Sequence, residues 1–305
     1  MMNLNMLKLH LIGLIGLVLV FSCTHQKTKT TVPAPSPKMG YNKLTQEWKS
    51  YWFDGTAEIT SYELIQTRYG EERKGKAVLI FVTEDLLQTE QVKADKRSPK
   101  SATVLKRNTT KEFLTGIYPY HIMSSTFSWI RNPESFAKTS LSMQEWCGHS
   151  YLQLNNRKTL DFTRHSYFQG EADQSYTLEK TPTEDQLYNQ IRLDPNKIQA
   201  DTLSMLPSLE FLQLNHQPIR AYTALLNIQI IDSIREFEVY YPELKRRLII
   251  RSEKAFPYSI LGWEEDIPPH RNIATKILTI KTPYWNLNHR KDSLERKSLQ
   301  LYEMD

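Results

Sequence analysis

Residues 225–241 read LLNIQIIDSIREFEVYY. Leu226, Ile228 and Ile230 alternate with Asn227 and Gln229, and Phe237, Val239 and Tyr241 then alternate with Glu236, Glu238 and Tyr240. A period of two is that of a strand with one covered face; a helix would place its apolar residues three and four apart. The signal continues at 247–251 and 274–281, with turn residues between. Earlier in the chain, 56–68 and 76–84 read as a hairpin across a polar loop at 69–75. Residues 77–82, AVLIFV, are apolar without a break, as in a central strand covered on both faces. Ala57 and Ile59 set an inward phase that slips to Tyr62 and Leu64, which predicts a bulge near Ser61.

Further strands are expected at 103–107, 112–118, 121–129, 141–154 and 158–168, with a tight turn at 155–157. Helix signals are few. Trp48 and Trp52 share one face of 44–53, and 183–191 opens with Thr183 followed by Glu184 and Asp185, an N-terminal signature. Residues 292–301 suit a short amphipathic helix on the sheet or a frayed end. The expected fold is mainly β: a curved antiparallel sheet, an open barrel or a sandwich, with one or two short helices, forming a single domain over 41–305. Sixteen tyrosines, six tryptophans and only ten glycines suit an ordered, sheet-rich chain.

The first residues are of another kind. Residues 11–21, LIGLIGLVLVF, are eleven apolar residues, short of the ~20 that a spanning helix needs and within the ~7–15 of a signal-peptide core. Val20-Phe21-Ser22-Cys23 resembles the lipobox of bacterial lipoproteins. The resemblance implies cleavage after residue 22, acylation of the Cys23 sulfur and then of its freed amino group, so that Cys23 is a lipid anchor to a membrane. Residues 23–40 would form the acylated cysteine and a proline-rich tether. The residues after Cys23 are Thr24-His25-Gln26, without an aspartate or an acidic run. In such lipoproteins that pattern implies the periplasmic face of the outer membrane. The 283 residues left carry 38 basic and 34 acidic side chains, interspersed, so no basic stripe for nucleic acid is present.

The mature chain also resembles a family of uncharacterised bacterial lipoproteins, through YWFDGTAEITSYEL (51–64), TRYGE (67–71), TGIYPYHIMSSTF (115–127), EWCGH (145–149), HSYF (165–168), YPELKR (241–246) and ATKI (274–277). Its members have been labelled septum formation inhibitor Maf, which would imply a cytosolic α/β nucleotide pyrophosphatase with a serine one residue before paired arginines. The sole Arg-Arg pair here is Arg246-Arg247, late in the chain, and Leu244 stands where that serine would be. The label therefore supplies no mechanism.

With Cys23 acylated, Cys147 is the one remaining thiol, and no intramolecular disulfide can form. Cys147 and His149 would share a face of one strand, and the turn at 155–157 would set His165 across from Cys147. With Asp161 or Asp173, these three residues could ligate a metal, or Cys147 could serve as a nucleophile with a histidine base. The commoner arrangement is a buried cysteine beside a hydrogen-bonded histidine. Asp54 and Glu58, with Arg68, form a polar cluster near a turn, where carboxylates usually cap and stay solvated; the same holds for Glu171 and Asp173. Tyr118, Tyr120, Phe127, Trp129, Trp146 and Tyr167 concentrate aromatic area that could line a ligand cavity. No motif calls for a cofactor. The expected function is a non-enzymatic outer-membrane lipoprotein that binds an apolar ligand, such as a lipid, or an envelope protein. The alternatives are a hydrolase centred on Cys147, His149 and His165, and an assembly partner without a cavity.

Overall fold

The structure is a computed structural model that describes residues 44–132 and 135–301; the expected signal peptide, Cys23 and the whole of the expected tether lie outside the described residues. After helix α1 (Gln46–Trp52), eight strands run as a meander: β1 (Ala57–Arg68), β2 (Glu71–Leu87), β3 (Ser101–Thr115), β4 (Tyr118–Trp129), β5 (Phe136–Glu145), β6 (Gly148–Asn156), β7 (Leu160–Ser166) and β8 (Gln174–Leu178). Helix α2 (Glu184–Leu193), strand β9 (Asp201–Met205) and helix α3 (Leu209–Leu214) follow. A second meander is made of β10 (Tyr222–Ile231), β11 (Ile234–Tyr241), β12 (Arg246–Glu253), β13 (Ile260–Ile267) and β14 (His270–Thr282).

All fourteen strands form one antiparallel sheet, in the order β8-β7-β6-β5-β4-β3-β2-β1-β14-β13-β12-β11-β10-β9. Only the β1–β14 pair joins strands distant in sequence. The sheet does not close, because β8 and β9 are its two edges. Part of the β9 side is covered by the chain entering α2: the Glu184 N–H donates to the Leu206 carbonyl and the Leu206 N–H to the Pro182 carbonyl, both at 2.9 Å. Curvature follows from α2, whose side chains bond to β1, β3, β4 and β12 together. The wall must wrap around that helix for all four to reach it. The mainly β, open antiparallel fold class agrees with the sequence reading.

Strand β1 corrects one phase. Ala57 and Ile59 face outward, where they pack with Val78, Ile80, Val82, Ile280, Tyr284, Leu299 and Leu301. Glu58 faces inward and is wholly buried. Alternation through Tyr62 and Leu64 is unbroken; the register irregularity does fall between Ser61 and Tyr62, but the extra residue, Ile277, is on the partner β14. The apolar run 77–82 is covered on both faces, as expected. Its inner residues join the main core and its outer ones lie under the C-terminal segment, where helix α4 (Glu295–Ser298) carries Leu299 onto the sheet.

Two strand expectations fail informatively. The expected single strand 141–154 is a hairpin, with Trp146-Cys147 at its tip. The expected break between 107 and 112 does not exist: β3 is continuous, and its inward Arg107, Thr109 and Lys111 are buried.

Candidate functional site

The interior is filled rather than hollow. Helix α2 begins as expected at Thr183 and is buried on nearly every side, although six of its ten residues are polar or charged. Its carboxylates and arginine are tied to the wall. Arg246 of β12 makes a two-pronged bond to Glu184 at 2.5 and 2.7 Å, and its Nε donates to Glu265 of β13 at 2.6 Å. Asn189 donates to the carbonyls of Leu105 and Thr126 at 2.9 and 3.3 Å. Arg192 makes a two-pronged bond to Glu58 of β1, one arm at 2.6 Å, and Tyr51 donates to the same carboxylate. The Arg192 guanidinium also lies 5.0 Å from the ring centres of Trp52 and Phe81. Burial alone would push Glu58 up, but Arg192 and the bonds from Arg192 and Tyr51 outweigh it and hold the carboxyl below its ordinary range.

Asp185 is compensated less well. Burial raises its pKa to about 6 against the opposing charge of Arg107 and a hydrogen bond from the Leu209 N–H at 3.0 Å. Arg107 approaches it only to 3.6 Å. Burial correspondingly lowers Arg107. Between α2, α3 and the wall lies a cavity of about 100 Å³, bordered by Gln66, Arg107, Thr109, Lys111, Asp185 and Trp263 among others. Ligand pockets usually measure ~300–1,000 Å³ and are mostly apolar. A cavity this small and this charged does not take an acyl chain.

None of Tyr118, Tyr120, Phe127, Trp129, Trp146 and Tyr167 borders that cavity. Phe127 and Trp129 lie on the outer face against Leu86, Val104 and Ala137. Tyr120 points inward and stacks on Phe113 with ring centres 5.0 Å apart. The other three stand at one rim. There the hairpin tips of β1–β2, β3–β4, β5–β6 and β7–β8 follow one another, two strands or roughly 10 Å apart. Each tip presents a large apolar side chain: Tyr69 is 61% exposed, Ile117 82%, Trp146 69% and Tyr167 70%. Tyr118 links them, its ring 6.3 Å from Trp146 and 6.1 Å from Tyr120, whose hydroxyl meets that of Tyr69 at 2.7 Å. Tyr167 lies flat on Gly148, where an added Cβ would come within 2.7 Å of the ring. Some nearby acids have side-chain partners: Glu71 meets Arg73 at 2.5 Å, Glu112 meets His121 at 3.7 Å and Asp173 meets His165 at 3.0 Å, while Glu145 accepts from the Cys147 N–H at 2.7 Å and Glu72 is exposed. The tips of the second meander on this rim are polar, Pro242–Lys245 and Pro268-Pro269.

The grouping of Cys147, His149 and His165 is corrected too. Cys147 is exposed in the turn, not buried on a strand, and the residue opposite His165 is Tyr151. Two differences are responsible: the unforeseen tip at 146–147 takes Cys147 off the strand, and the β6–β7 turn is centred on residue 158 rather than 156, which moves the partner of His165 by four residues. Among the described residues no group of three His, Cys, Asp or Glu is placed to hold a metal ion. Glu145 raises the Cys147 thiol by a hydrogen bond and by its charge, the reverse of what an activated nucleophile needs. Asp54 caps the turn as expected, accepting from the Thr56 N–H and hydroxyl at 3.0 and 2.7 Å. Glu58 and Glu171 are buried, not solvated; Glu171 accepts from Ser166, Gln213 and His216 at 2.6–2.7 Å.

No protein-family model matches the chain, and no curated protein matches it. Among solved structures, the chain is similar to a Brucella abortus protein described as a β-barrel-like protein of domain of unknown function DUF1849. The identity is 8%, the match covers 74% of this chain and 97% of that one, and the TM-score is 0.46.

Proposed function

We propose that this protein is a lipid-anchored, non-enzymatic envelope protein whose aromatic rim rests on a bilayer surface. The reading rests on one observation: four consecutive hairpin tips on one rim present Tyr69, Ile117, Trp146 and Tyr167 to solvent, while the interior is filled. Tyrosine and tryptophan favour the membrane–water boundary, where a ring meets hydrocarbon and its polar atom stays wet. A zwitterionic headgroup layer carries no net charge, so the acids on this rim meet little repulsion there. Acylation of Cys23 at both its sulfur and its amino group would already anchor the chain stably; the rim would set how the domain rests on the bilayer. Leu44 enters at the opposite rim, but residues 24–43 have a contour of roughly 70 Å. Strand β2, at 17 residues the longest, spans about 56 Å. A lipid on Cys23 is therefore compatible with either rim facing the bilayer, and the outer membrane's periplasmic face is the proposed location.

The test uses the chain begun at Thr24, which lacks both the signal segment and the acylated cysteine, and vesicles of zwitterionic phosphatidylcholine. Flotation with the vesicles is expected, with a blue-shifted fluorescence component that disappears in Trp146→Phe. A side chain fully withdrawn from water is worth about 1.5–3 kcal/mol, so Ile117→Ser should weaken partitioning by roughly tenfold or more. Protein that stays entirely in the aqueous fraction would end the bilayer reading and leave the rim to a protein partner.

A further inference from the structure

The interior cavity holds an unmet demand for hydrogen bonds. Three buried side chains that border it each leave a polar atom without a protein partner: Arg107 Nε, Thr109 Oγ1 and Gln66 Oε1. Arg107 is 3% exposed, Thr109 7% and Gln66 3%. A guanidinium offers five N–H donors. At Arg107, Nη2 donates to Thr126 Oγ1 at 3.2 Å, the carboxylate of Asp185 stands off at 3.6 Å, and the Tyr188 ring lies 4.6 Å from the guanidinium carbon. A buried charge left this poorly compensated is costly, and an acceptor in the cavity would relieve it. Lys111, also on the wall, bonds to Glu210 at 2.7 Å with one of its three N–H groups.

The lining fixes size and charge. An apolar cavity of about 150 Å³ takes benzene, with its six heavy atoms. About 100 Å³ suits a ligand of roughly four heavy atoms, the size of acetate. Arg68, Arg107, Lys111 and Arg246 border the cavity together with Glu184, Asp185, Glu210 and Glu265. All of these except Asp185 and Arg107 have close partners: Arg246 holds Glu184 and Glu265, Lys111 holds Glu210, and Arg68 donates to the Leu214 carbonyl at 2.8 Å. The loose pair is the one beside the unmet atoms. An entering carboxylate would accept from Arg107 Nε and the Thr109 hydroxyl, and a protonated Asp185 could donate to it.

We infer that this cavity is a binding site for a small carboxylate of about four heavy atoms, seated on Arg107 Nε and Thr109 Oγ1. The inference is independent of the rim. Because Asp185 faces Arg107 and Lys111 of β3, Glu184 and Tyr188 of its own helix, Glu210 of α3, Arg246 of β12 and Glu265 of β13, its protonation tips the lining towards net positive charge. Carboxylate affinity should therefore rise as pH falls from 7.5 to 5.5.

The experiment titrates the mature chain with acetate against equal ionic strength of chloride, following the Arg Nε–H signals by nuclear magnetic resonance. Acetamide, of the same size and neutral, is the control. Saturable displacement of one Arg Nε–H signal by acetate, tighter at pH 5.5 than at 7.5 and absent with acetamide, is the expected result. Thr109→Val keeps the shape and removes an unpartnered hydroxyl, so the fold should hold and acetate should bind about tenfold more weakly, the cost of one hydrogen bond to a charged group. Acetamide binding as well as acetate, Thr109→Val binding unchanged, or no saturable shift at either pH would each overturn the inference and leave a cavity that holds only water.

Discussion

Replacing Glu58 by glutamine should be among the most damaging single-atom changes available in this chain. The carboxylate is wholly buried and is the only acid paired with Arg192, itself 1% exposed, among the described residues. Glutamine keeps the shape and removes the charge, so Arg192 is left as a buried cation against the rings of Trp52 and Phe81 and the Pro257 carbonyl, which accepts from its Nε at 3.0 Å. Breaking a buried pair from one side costs about 3–5 kcal/mol. At about 2–4 °C per kcal/mol for a domain of this size, the midpoint should fall by roughly 6–20 °C. The double change Glu58→Leu with Arg192→Met removes both desolvation costs together and should recover most of the loss. The folded Glu58 carboxyl is held below its unfolded value, so its contribution is complete at neutral pH and disappears as pH falls through the folded pKa. The penalty of Glu58→Gln should accordingly be full at pH 7 and shrink only in acid. Urea unfolding followed by tryptophan fluorescence measures all three proteins. A Glu58→Gln cost under about 1 kcal/mol, or a double-variant cost as large as that of Glu58→Gln, would refute the claim that this pair pins the helix.

Asp185 should behave oppositely with pH. Burial has raised its folded pKa to about 6 from an ordinary 3.8, so the folded state holds a proton that the unfolded chain has lost between those values. The stability of the native protein relative to Asp185→Asn should therefore rise on acidification, by up to about 1.4 kcal/mol per pH unit below 6; parallel stability curves for the two proteins would contradict this. Cys147 is exposed, and Glu145 disfavours its thiolate. Glu145→Gln should therefore speed alkylation by iodoacetamide at neutral pH, and Cys147→Ser should leave stability within about 0.5 kcal/mol. Unchanged alkylation would mean that the carboxylate does not govern the thiol.

The alternation in 225–241 was legible because a sheet with one wet face and one packed face writes that difference residue by residue. What stayed hidden has a common physical cause. Hydropathy assigns charge to solvent and aromatic area to the core, and this protein reverses both assignments in selected places. Arg107, Thr109 and Lys111 interrupted an expected strand only because their inward face looked polar, yet that face meets the polar helix α2. Glu58, between Ala57 and Ile59, looked like a solvated turn residue although a strand phase with Glu58 inward was equally available. Helix α3, six residues of LEFLQL, is too short for its period to separate it from a strand. At the other extreme, Trp146-Cys147 lacks the Asn-Gly or Asp-Gly chemistry of a tight hairpin, so the tip was read as strand. Ordinary turn residues would serve the fold at least as well there. Each of four neighbouring tips instead carries a large side chain that stays mostly exposed despite its few contacts with Tyr118, Tyr120 and Gly148, and this is why the rim, rather than the interior, is where the search for a macromolecular contact should start.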